Sequence, residues 1–441
     1  MMRIGCGAGF SADRLGPAVD LVAKGRLDVI IFECVGERTL AFGHRDRLAN
    51  PARGYNAQLE ARMRKILPLC RQHGTRLVTN MGAANPKAAA EATVRVAGEL
   101  GLTGLTVAYV TGDEVTDRLG PGTPLWEGGT IADVGLRMVG ANAYIGSDAL
   151  LPALETGADV VIAGRVADPA LVLAPLRQRY GWAADDWERL GRGTMAGHLL
   201  ECGMQITGGY FADPGRKEVP RLAQCGFPIA EIDPDGGAVI TKLDDAGGCV
   251  TDRTVKEQLL YEVHDPTRYI TPDVVADFSR VAVESDGPDR VRLSGASGRE
   301  RPAQLKVTVG FDGGYLAEAG ISYAGPNAVA RAELARDVLA ERLAEVGGNE
   351  AVRLDLIGVS SLHGTALTYP SDAQDVRVRA ALRSTDREKA ETLLWEVESL
   401  LCCGPAGGGG YRGAITPSVV TCSASIARSD VPTRVDLLEV R

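Results

Sequence analysis

The 441-residue sequence lacks long apolar segments, runs of basic residues and any Cys-x-x-Cys motif. No stretch of about eighteen apolar residues is present, and the N-terminal residues contain no apolar segment of the kind found in signal peptides, so no membrane span or secretion signal is predicted. The 48 basic and 57 acidic residues give a formal charge of -9, and no basic stretch is interleaved with aromatic residues. We therefore predict neither nucleic acid nor a membrane as a partner.

The nine cysteines are odd in number and dispersed along the chain. Free thiols in a reducing compartment explain this pattern most simply, so we predict a cytoplasmic protein. Eight lysines against 40 arginines suggest a GC-rich bacterial genome. No Gly-x-Ser-x-Gly motif is present, which disfavours a serine hydrolase triad.

What the sequence does contain is typical of globular proteins, with clustered glycines. Hydrophobic residues make up 45% and charged residues 24%, and the length suggests two or three domains. The 54 glycines are concentrated at particular points and do not repeat with a period. This clustering favours loops that approach a ligand closely.

Residues 1–212 are predicted to form an α/β domain. Short apolar runs such as 27–32 and 76–79 predict buried strands, and the amphipathic segments 55–73 and 86–100 predict helices. Strands that are apolar on both faces and separated by helices indicate a mostly parallel sheet with covered faces. Ligands bind beyond the carboxyl ends of such strands, and we expect the site there.

Residues 213–441 are predicted to form an α+β C-terminal domain. Alternating polar and apolar residues predict a strand at 375–380, and helices are predicted at 327–346 and 385–401. A glycine-rich loop at 404–410 follows the last helix. The loop lacks the Lys-Ser/Thr ending of a P-loop, so nucleotide hydrolysis is not indicated.

Four predicted strands are followed by polar residues. Glu33, Asn80, Asp113 and Arg165 each closely follow an apolar run, although any one of them alone is explained equally well as a helix cap. Together they favour a site in which Glu33 or Asp113 is the base and Arg165 with Asn80 anchors an anionic substrate. Such carboxylates also suit Mg²⁺, but no ligand spacing requires a metal.

Two glycine loops are predicted to hold a carboxylate or phosphate through backbone amides. The residues are Gly5, Gly7 and Gly9 in the first loop, and Gly407, Gly408 and Gly409 in the second. A flexible loop that ends a helix is the alternative interpretation of the second.

The first glycine loop also formally matches the dinucleotide motif G-x-G-x-x-[GA] over residues 7–12, with Glu33 about twenty residues further on. The signal is weak, because Gly16 and Pro17 would interrupt the helix that should present its N-terminus to a pyrophosphate. NAD(P) binding is therefore an alternative prediction. Cys6 is the cysteine that we expect to be exposed near a ligand.

His198 and Glu201 share one face of a predicted helix at i, i+3 spacing, which would allow an acid/base pair. A buried structural histidine explains the pattern equally well, and a single His-x-x-Glu is a weak metal motif. The polar surroundings of His44, His73 and His264 predict surface positions for these side chains.

Several short motifs stand in order along nearly the whole chain, and the ordered set is more specific than any one of them. They are Gly5-x-Gly7-x-Gly9-Phe10-Ser11, Phe32-Glu33, Thr79-Asn80-x-Gly82, Ala143-Tyr144-x-Gly146, Gly164-Arg165-x-x-Asp168, Gly197-His198-x-x-Glu201-Cys202 and Gly248-x-Val250-Thr251. In these motifs the chain resembles the acyclic terpene utilisation protein A (AtuA) family. The resemblance implies a role in the catabolism of branched acids and acyl-CoA thioesters, including acyclic terpenes. It therefore indicates a pathway more than a chemistry.

The resemblance has a further implication for partners, because longer members of the family carry an extra C-terminal ferredoxin-like domain of about a hundred residues. This chain ends at Arg441, and we expect it to lack that domain. A small ferredoxin-like subunit is accordingly predicted as a partner.

These observations predict a catabolic enzyme of the lyase or hydratase type, acting on a carboxylic acid or its acyl-CoA thioester. Adding or removing water beside a carbonyl requires a base, an acid and a fixed anion-binding group. Glu33 or Asp113 would be the base and His198 with Glu201 the acid side, with CoA or Mg²⁺ as candidate cofactors. The alternatives are an NAD(P)-dependent oxidoreductase and a non-catalytic subunit that needs a partner, and a homo-oligomer is the default.

Overall fold

The computed structural model describes residues 1–347, 352–364 and 372–441 of the chain. The strands are β1 (Met2–Cys6), β2 (Val29–Phe32), β3 (Arg76–Thr79), β4 (Thr106–Thr111), β5 (Met138–Ala143), β6 (Val160–Ile162), β7 (Ile229–Ile232), β8 (Ala238–Thr241), β9 (Tyr269–Ile270), β10 (Val275–Asp277), β11 (Ala282–Ser285), β12 (Val291–Ser294), β13 (Ser297–Arg299), β14 (Gln304–Ala324), β15 (Arg353–Ile357), β16 (Asp375–Ser384), β17 (Gly409–Ala427) and β18 (Arg434–Glu439). The helices are α1 (Gly16–Lys24), α2 (Glu37–Ala49), α3 (Leu59–His73), α4 (Pro86–Glu99), α5 (Ser147–Glu155), α6 (Ala170–Tyr180), α7 (Trp187–Glu201), α8 (Asp252–Leu260), α9 (Ala328–Gly347) and α10 (Arg387–Cys403).

The chain divides into two compact units. The first consists of Met1–Gly310 together with Thr421–Arg441, and the second of Phe311–Val420. The boundary predicted from sequence, at residues 212/213, does not coincide with this division. The reason is that β7 and β8, which follow residue 213, pair onto β1 and extend the first sheet.

A ten-stranded sheet runs through the first unit in the order β11-β12-β8-β7-β1-β2-β3-β6-β4-β18. Its five central strands, β1, β2, β3, β6 and β4, are parallel to one another. The strands on either side of them are antiparallel to their neighbours. The predicted fold class, a mostly parallel α/β sheet followed by an α+β region, is confirmed.

Two helical layers cover this sheet. Helix α3 contacts both α1 and α4 in one layer, and α6 contacts both α5 and α7 in the second. The chain moves in one direction from β1 to β4 and then returns to place β6 between β3 and β4. Because crossover connections are right-handed, this reversal moves the following helices to the other face. The central strands therefore read as nearly continuous apolar runs, as in Val29–Phe32, which is buried throughout.

Strand β5 lies outside the ten-stranded sheet and pairs with β14. The backbone N–H of Tyr144, which follows β5, donates to the carbonyl of Lys306 over 2.8 Å. This pairing brings two residues that are distant in sequence to one place beside the parallel sheet.

The second unit contains most of β14, then α9, β15, β16, α10 and most of β17 in chain order, with the strands arranged as β15-β16-β14-β17. This βαββαβ order is the ferredoxin-like arrangement. The sequence pattern did not single out this unit, because its strands and helices are only a part of the region assigned to a single α+β domain. The small ferredoxin-like partner subunit stays a prediction.

In the described part of the chain, no helix combines the length and the apolar character that crossing a membrane requires.

Candidate functional site

The carboxyl ends of the parallel strands lie along one edge of the sheet, and polar side chains follow four of them. Glu33 follows β2, Asn80 follows β3, Asp113 follows β4 and Arg165 follows β6. All four side chains are buried. The structure therefore brings together the four residues that the sequence pattern selects at strand ends.

Glu33 is a buried carboxyl held by neutral donors. Its Oε1 accepts hydrogen bonds from the Nδ2 of Asn80 over 3.0 Å and from the backbone N–H of Val35 over 2.8 Å. Burial, and then the charge of Asp168, raise the pKa of Glu33 to about 8, although nearby Arg165 acts in the opposite direction. Glu33 therefore keeps its proton at neutral pH.

Asn80 uses both ends of its amide inside the protein. While its Nδ2 donates to Glu33, its Oδ1 accepts from the backbone N–H of Cys34 over 2.8 Å. The side chain is fully buried. These contacts fix the backbone after β2 and the orientation of Glu33.

Arg165 is a buried cation between several partners. Its Nη1 donates to the carbonyl of Val35, and its Nη2 contacts Oδ1 of Asp168 over 2.6 Å. The guanidinium lies 4.0 Å from the centre of the Tyr144 ring, and its Nε has no hydrogen-bond partner among the residues that the structure describes. Burial alone would lower the pKa of Arg165. The nearby Asp168, Tyr144 and Glu33 raise it by more than burial lowers it, so the net pKa is raised and the group remains charged.

Asp113 supports the backbone of Arg165 from behind. Its Oδ2 accepts from the backbone N–H of Arg165 over 2.7 Å and from Nδ2 of Asn142 over 2.8 Å. Burial raises the pKa of Asp113 to about 6. A Cβ on Gly164 would lie 2.4 Å from this carboxylate oxygen, so only glycine allows the approach.

His44 extends this network. Its Nε2 hydrogen-bonds to Oδ1 of Asn142, whose Nδ2 donates to Asp113. The side chain of His44 is only 1% exposed, so the prediction of a surface position is wrong. Polar neighbours in the sequence of α2 concealed a histidine that faces β5.

His198 and Glu201 form a buried pair in the last turn of α7. The Nδ1 of His198 lies 2.8 Å from Oε1 of Glu201, and the imidazole packs on the rings of Tyr269 and Phe278 at centroid distances of 5.0 and 5.8 Å. Burial raises the pKa of Glu201 to about 7, and Glu201 in turn raises the pKa of His198 against the effect of burial. The second polar atoms of the pair, Nε2 and Oε2, are unpartnered within the described ranges.

A cleft of about 650 Å³ opens beside Arg165. Its polar wall comprises Arg165, Asp168, Tyr144, Glu37, Lys306, Arg268 and Glu262, and its apolar wall includes Trp126, Ile270, Pro272, Pro302 and Leu305. Of the residues predicted as catalytic or substrate-binding, Arg165 is the one that lines this cleft. Glu33, Asp113 and the His198–Glu201 pair lie behind the lining residues.

Several lining residues were not predicted as site residues. Asp168 had a local signal, because it stands three residues after Arg165 just before α6. Lys306 had none, since only the pairing of β5 with β14 brings it to the site. There its Nζ contacts Oε1 of Glu37 over 3.0 Å, and Tyr144 donates to the same oxygen. Despite burial, these two contacts lower the pKa of Glu37 to about 2.

The first glycine loop is packed against the protein itself. The N–H of Gly7 donates to the carbonyl of Ile31 over 2.8 Å, and the N–H of Gly9 to Oδ2 of Asp13 over 2.9 Å. A Cβ at Gly9 would lie 2.3 Å from the carbonyl carbon of Cys202, and one at Gly5 would lie 2.6 Å from Leu27. Close packing explains these glycines, and the amides of Gly7 and Gly9 are already used within the chain.

Two other predictions about this loop do not fit the structure. Cys6 is fully buried, not exposed. Helix α1 begins only at Gly16, so the loop at 7–12 does not lead directly into a helix N-terminus as a dinucleotide motif requires. The motif match is therefore not supported as an NAD(P) site.

The second glycine loop belongs to the unit Phe311–Val420. Gly407 lies near Arg331 and Gly408 near Ile321 and Tyr323, while a Cβ at Gly409 would meet no atom within 4 Å. Arg331 donates from Nη1 to the carbonyl of Ala406 over 2.8 Å. The substrate-binding role of Gly407, Gly408 and Gly409 stays a prediction.

Residues 1–347, 352–364 and 372–441 contain no group of three or more His, Cys, Asp or Glu side chains that could hold a metal ion. Glu33 and Asp113, the two carboxyls suggested for Mg²⁺, accept hydrogen bonds from amide N–H groups, and both lie close to Arg165. The donor set therefore does not fit the suggested magnesium site.

These features define an α/β protein with a polar cleft at the carboxyl edge of a parallel sheet, with buried titratable groups behind its wall. The model of the family described as "Acyclic terpene utilisation family protein AtuA" matches residues 2–437. The chain belongs to this family, and the resemblance seen in its motifs is confirmed.

No curated protein matches the chain. Among solved structures, the de novo designed protein Ferredog-Diesel is similar to a part of it, at 17% sequence identity over 23% of this chain and 85% of the designed chain, with a TM-score of 0.17.

Proposed function

We propose that this member of the AtuA family is a catabolic enzyme of the lyase or hydratase type, acting by acid/base chemistry on a carboxylic acid or its acyl-CoA thioester. The family description concerns acyclic terpene utilisation, which is a catabolic role. The observation that carries the proposal is Arg165, a buried cation beside the cleft whose Nε has no partner in the described structure.

Such a reaction develops negative charge on a carbonyl or carboxylate oxygen. A fixed guanidinium in a poorly hydrated site stabilises that charge more strongly than water does. Arg165 is fixed by Val35, Asp168 and the Tyr144 ring, so it need not reorganise during the reaction. Lys306, on the same wall, adds a second cation for an anionic substrate.

The predicted roles of the other residues divide into two groups. Asn80 and Asp113 have their polar atoms engaged by the protein, which supports positioning roles for them. Glu33 and the His198–Glu201 pair have raised pKa values and lie close to Asp168, which supports roles in storing or moving protons. Nothing in the site favours nicotinamide chemistry over this reaction.

The proposal is tested by ligand binding and by hydrogen exchange. A thermal-shift screen of the purified chain would cover acyl-CoA thioesters, their free acids, NAD(P) and Mg²⁺. Any compound that stabilises the protein would then be incubated with it in D₂O, and deuterium at the carbon next to the carbonyl would be measured by mass spectrometry. We expect stabilisation by an acid or thioester and enzyme-dependent exchange. Stabilisation by NAD(P) alone, or no response to any acid or thioester, would contradict the proposal.

Arg165→Ala is the decisive variant. We expect it to lower the melting temperature, because removing one partner of a buried ion pair costs about 3 kcal/mol, and to abolish stabilisation by the ligand. Arg177→Ala is the matched control, since Arg177 is also a buried arginine, paired with Asp148 in the same unit but outside the cleft lining. It should lose stability while retaining the ligand response, and equal loss of response in both variants would remove Arg165 as the anchor.

A further inference from the structure

Asp168 is the carboxylate that meets the cleft next to Arg165. It lines the cleft directly, and 33% of its side chain is exposed, whereas Glu33 is 8% exposed and lies behind the lining residues. Asp168 stands just before α6, where the N–H of Leu171 donates to its backbone carbonyl. The start of a helix thus fixes its backbone, while the carboxylate is open to the cleft.

Two carboxyls share the one guanidinium of Arg165. Asp168 contacts Nη2 over 2.6 Å, whereas the hydrogen bonds recorded for Glu33 come from the amides of Asn80 and Val35. A carboxylate in direct contact with a guanidinium is favoured in its charged form, and a second carboxyl nearby is then disfavoured as an anion. The geometry therefore gives the negative charge to Asp168 and the proton to Glu33.

Other groups also act on Asp168. Burial, Glu37 and Glu262 raise the pKa of Asp168, whereas the direct contact with Arg165 lowers it, and Lys306 offsets Glu37 by direct contact. For Glu33, the groups that oppose ionisation are Asp168 and burial, while Arg165 favours it. Direct contact with the Arg165 guanidinium is recorded for Asp168 and amide contacts for Glu33, so the proton is assigned to Glu33.

We infer that Asp168 is the catalytic base of this site, and that Glu33 is a protonated positioning residue which acts through Arg165. This inference rests on the proposed function and reassigns the base from Glu33 or Asp113 to a residue that the substrate can touch. Glu33 in its neutral form leaves the charge of Arg165 available to Asp168 and to the substrate oxygen.

The step balances with a single carboxylate. Asp168 takes the proton from the carbon next to the carbonyl, and the C–H electron pair becomes the new C=C bond as the C–O bond to the β-hydroxyl breaks. The proton on Asp168 then passes to the departing hydroxide, so one water is released and Asp168 returns to its ionised form. Arg165 stabilises the partial negative charge that builds up on the carbonyl oxygen while these bonds change. Hydration is the same sequence in reverse.

The charge distribution can be tested without any ligand. Infrared spectra of the full chain would be recorded across pH, and the protonated C=O band of Glu33 would be identified as the one lost in Glu33→Gln. We expect this band to persist at pH 7 and to disappear near pH 8. In Asp168→Asn it should disappear at a pH lower by about one unit or more, because the opposing charge is gone. Glu262→Gln, which removes another carboxylate lining the cleft, is the control and should leave the band in place.

The catalytic role is tested with whichever 3-hydroxyacyl-CoA thioester or free hydroxy acid the screen identifies. We expect Asp168→Asn to reduce turnover and deuterium exchange by about 10² to 10⁴ while ligand-induced stabilisation remains. Glu33→Gln should reduce turnover less than Asp168→Asn does, and its activity should no longer fall as pH rises through 8, because glutamine cannot ionise. A Glu33→Gln variant as inactive as Asp168→Asn, or an Asp168→Asn variant with normal exchange, would overturn the assignment.

Failure of the inference and failure of the proposed function give different results. If no acid or thioester is turned over by the wild type, the proposed function is wrong, and Asp168 is not the base of that reaction. If turnover occurs but the infrared band does not respond to Asp168→Asn, the function stands and the pairing of Asp168 with Glu33 is refuted.

Discussion

Glu33 in the first unit and Asp355 in the second are both carboxyl groups with little exposure, yet their surroundings differ. Asp355 contacts Nε of Arg353 over 3.0 Å and Nη2 of Arg379 over 2.5 Å. Glu33 receives hydrogen bonds from two amides. The charge of Arg165 favours its ionisation, but the negative charge of Asp168 opposes it. The charge of the Asp355 carboxylate is balanced by its own arginines, whereas the Glu33 carboxyl, held by neutral donors, keeps its proton.

The glycine loops of the two units differ in how closely the surrounding chain packs against them. Around Gly9 the chain is so close that a Cβ would collide with the backbone of Cys202 and Gly203, whereas Gly409 has open space. Glycine in the first loop is therefore required by packing, and the second loop places no such demand at Gly409. The same composition in the two loops reflects different physical causes.

Asp355→Ala is expected to cause the largest loss of stability among the variants that test the comparison between Asp355 and Glu33. Loss of the carboxylate leaves Arg353 and Arg379 without their shared partner, so we expect the free energy of unfolding of the second unit to fall by about 2 to 3 kcal/mol. Thermal unfolding with circular dichroism would measure it. A change within about 0.5 kcal/mol would show that the arginines are satisfied equally well by water.

Gly9→Ala is expected to cause the second-largest loss in the free energy of unfolding. The added Cβ would approach backbone atoms to 2.3 Å, and backbone cannot move aside as a side chain can, so we expect a loss of about 2 kcal/mol. Gly409→Ala is the matched control and should stay within about 0.5 kcal/mol of the wild type. Urea denaturation of Gly9→Ala and Gly409→Ala would measure both free energies of unfolding. Similar losses for the two glycines would break the comparison between the loops.

Glu33→Gln is expected to have the smallest effect and the opposite sign. The pKa of Glu33 is raised from an ordinary 4.5 to about 8, so its neutral form contributes stability that is complete at low pH and is lost as the pH rises towards 8. Glutamine keeps the Oε1 acceptor and carries no charge to desolvate. We therefore expect the variant to match the wild type at pH 4.5 and to exceed it by about 1 kcal/mol at pH 8.5. Equilibrium urea unfolding at the two pH values checks this, and a variant less stable at the higher pH would mean that Glu33 is ionised in the native protein.

The sequence predicted the site better through position than through residue type. Strand ends selected Glu33, Asn80, Asp113 and Arg165 correctly as neighbours, because parallel strands end at one edge of a sheet whatever follows them. The glycine motif at 7–12 suggested a binding loop that the structure does not support. Tight packing and anion binding both require glycine, so they give the same sequence pattern. His44 misled for a similar reason, because polar neighbours on a helix say nothing about which face meets a strand from elsewhere.

By itself, the sequence determined the alternation of strands and helices, the edge where polar groups collect and membership of the family. These properties depend on local periodicity, on handedness and on ordered motifs, all of which can be identified from the sequence. Tertiary structure alone decided that β7 and β8 extend the first sheet, that β14 carries Lys306 to the cleft and that Asp168 lines the cleft while Glu33 does not. Burial and the sharing of one guanidinium by two carboxyls are properties of three-dimensional neighbours, and no local pattern encodes them.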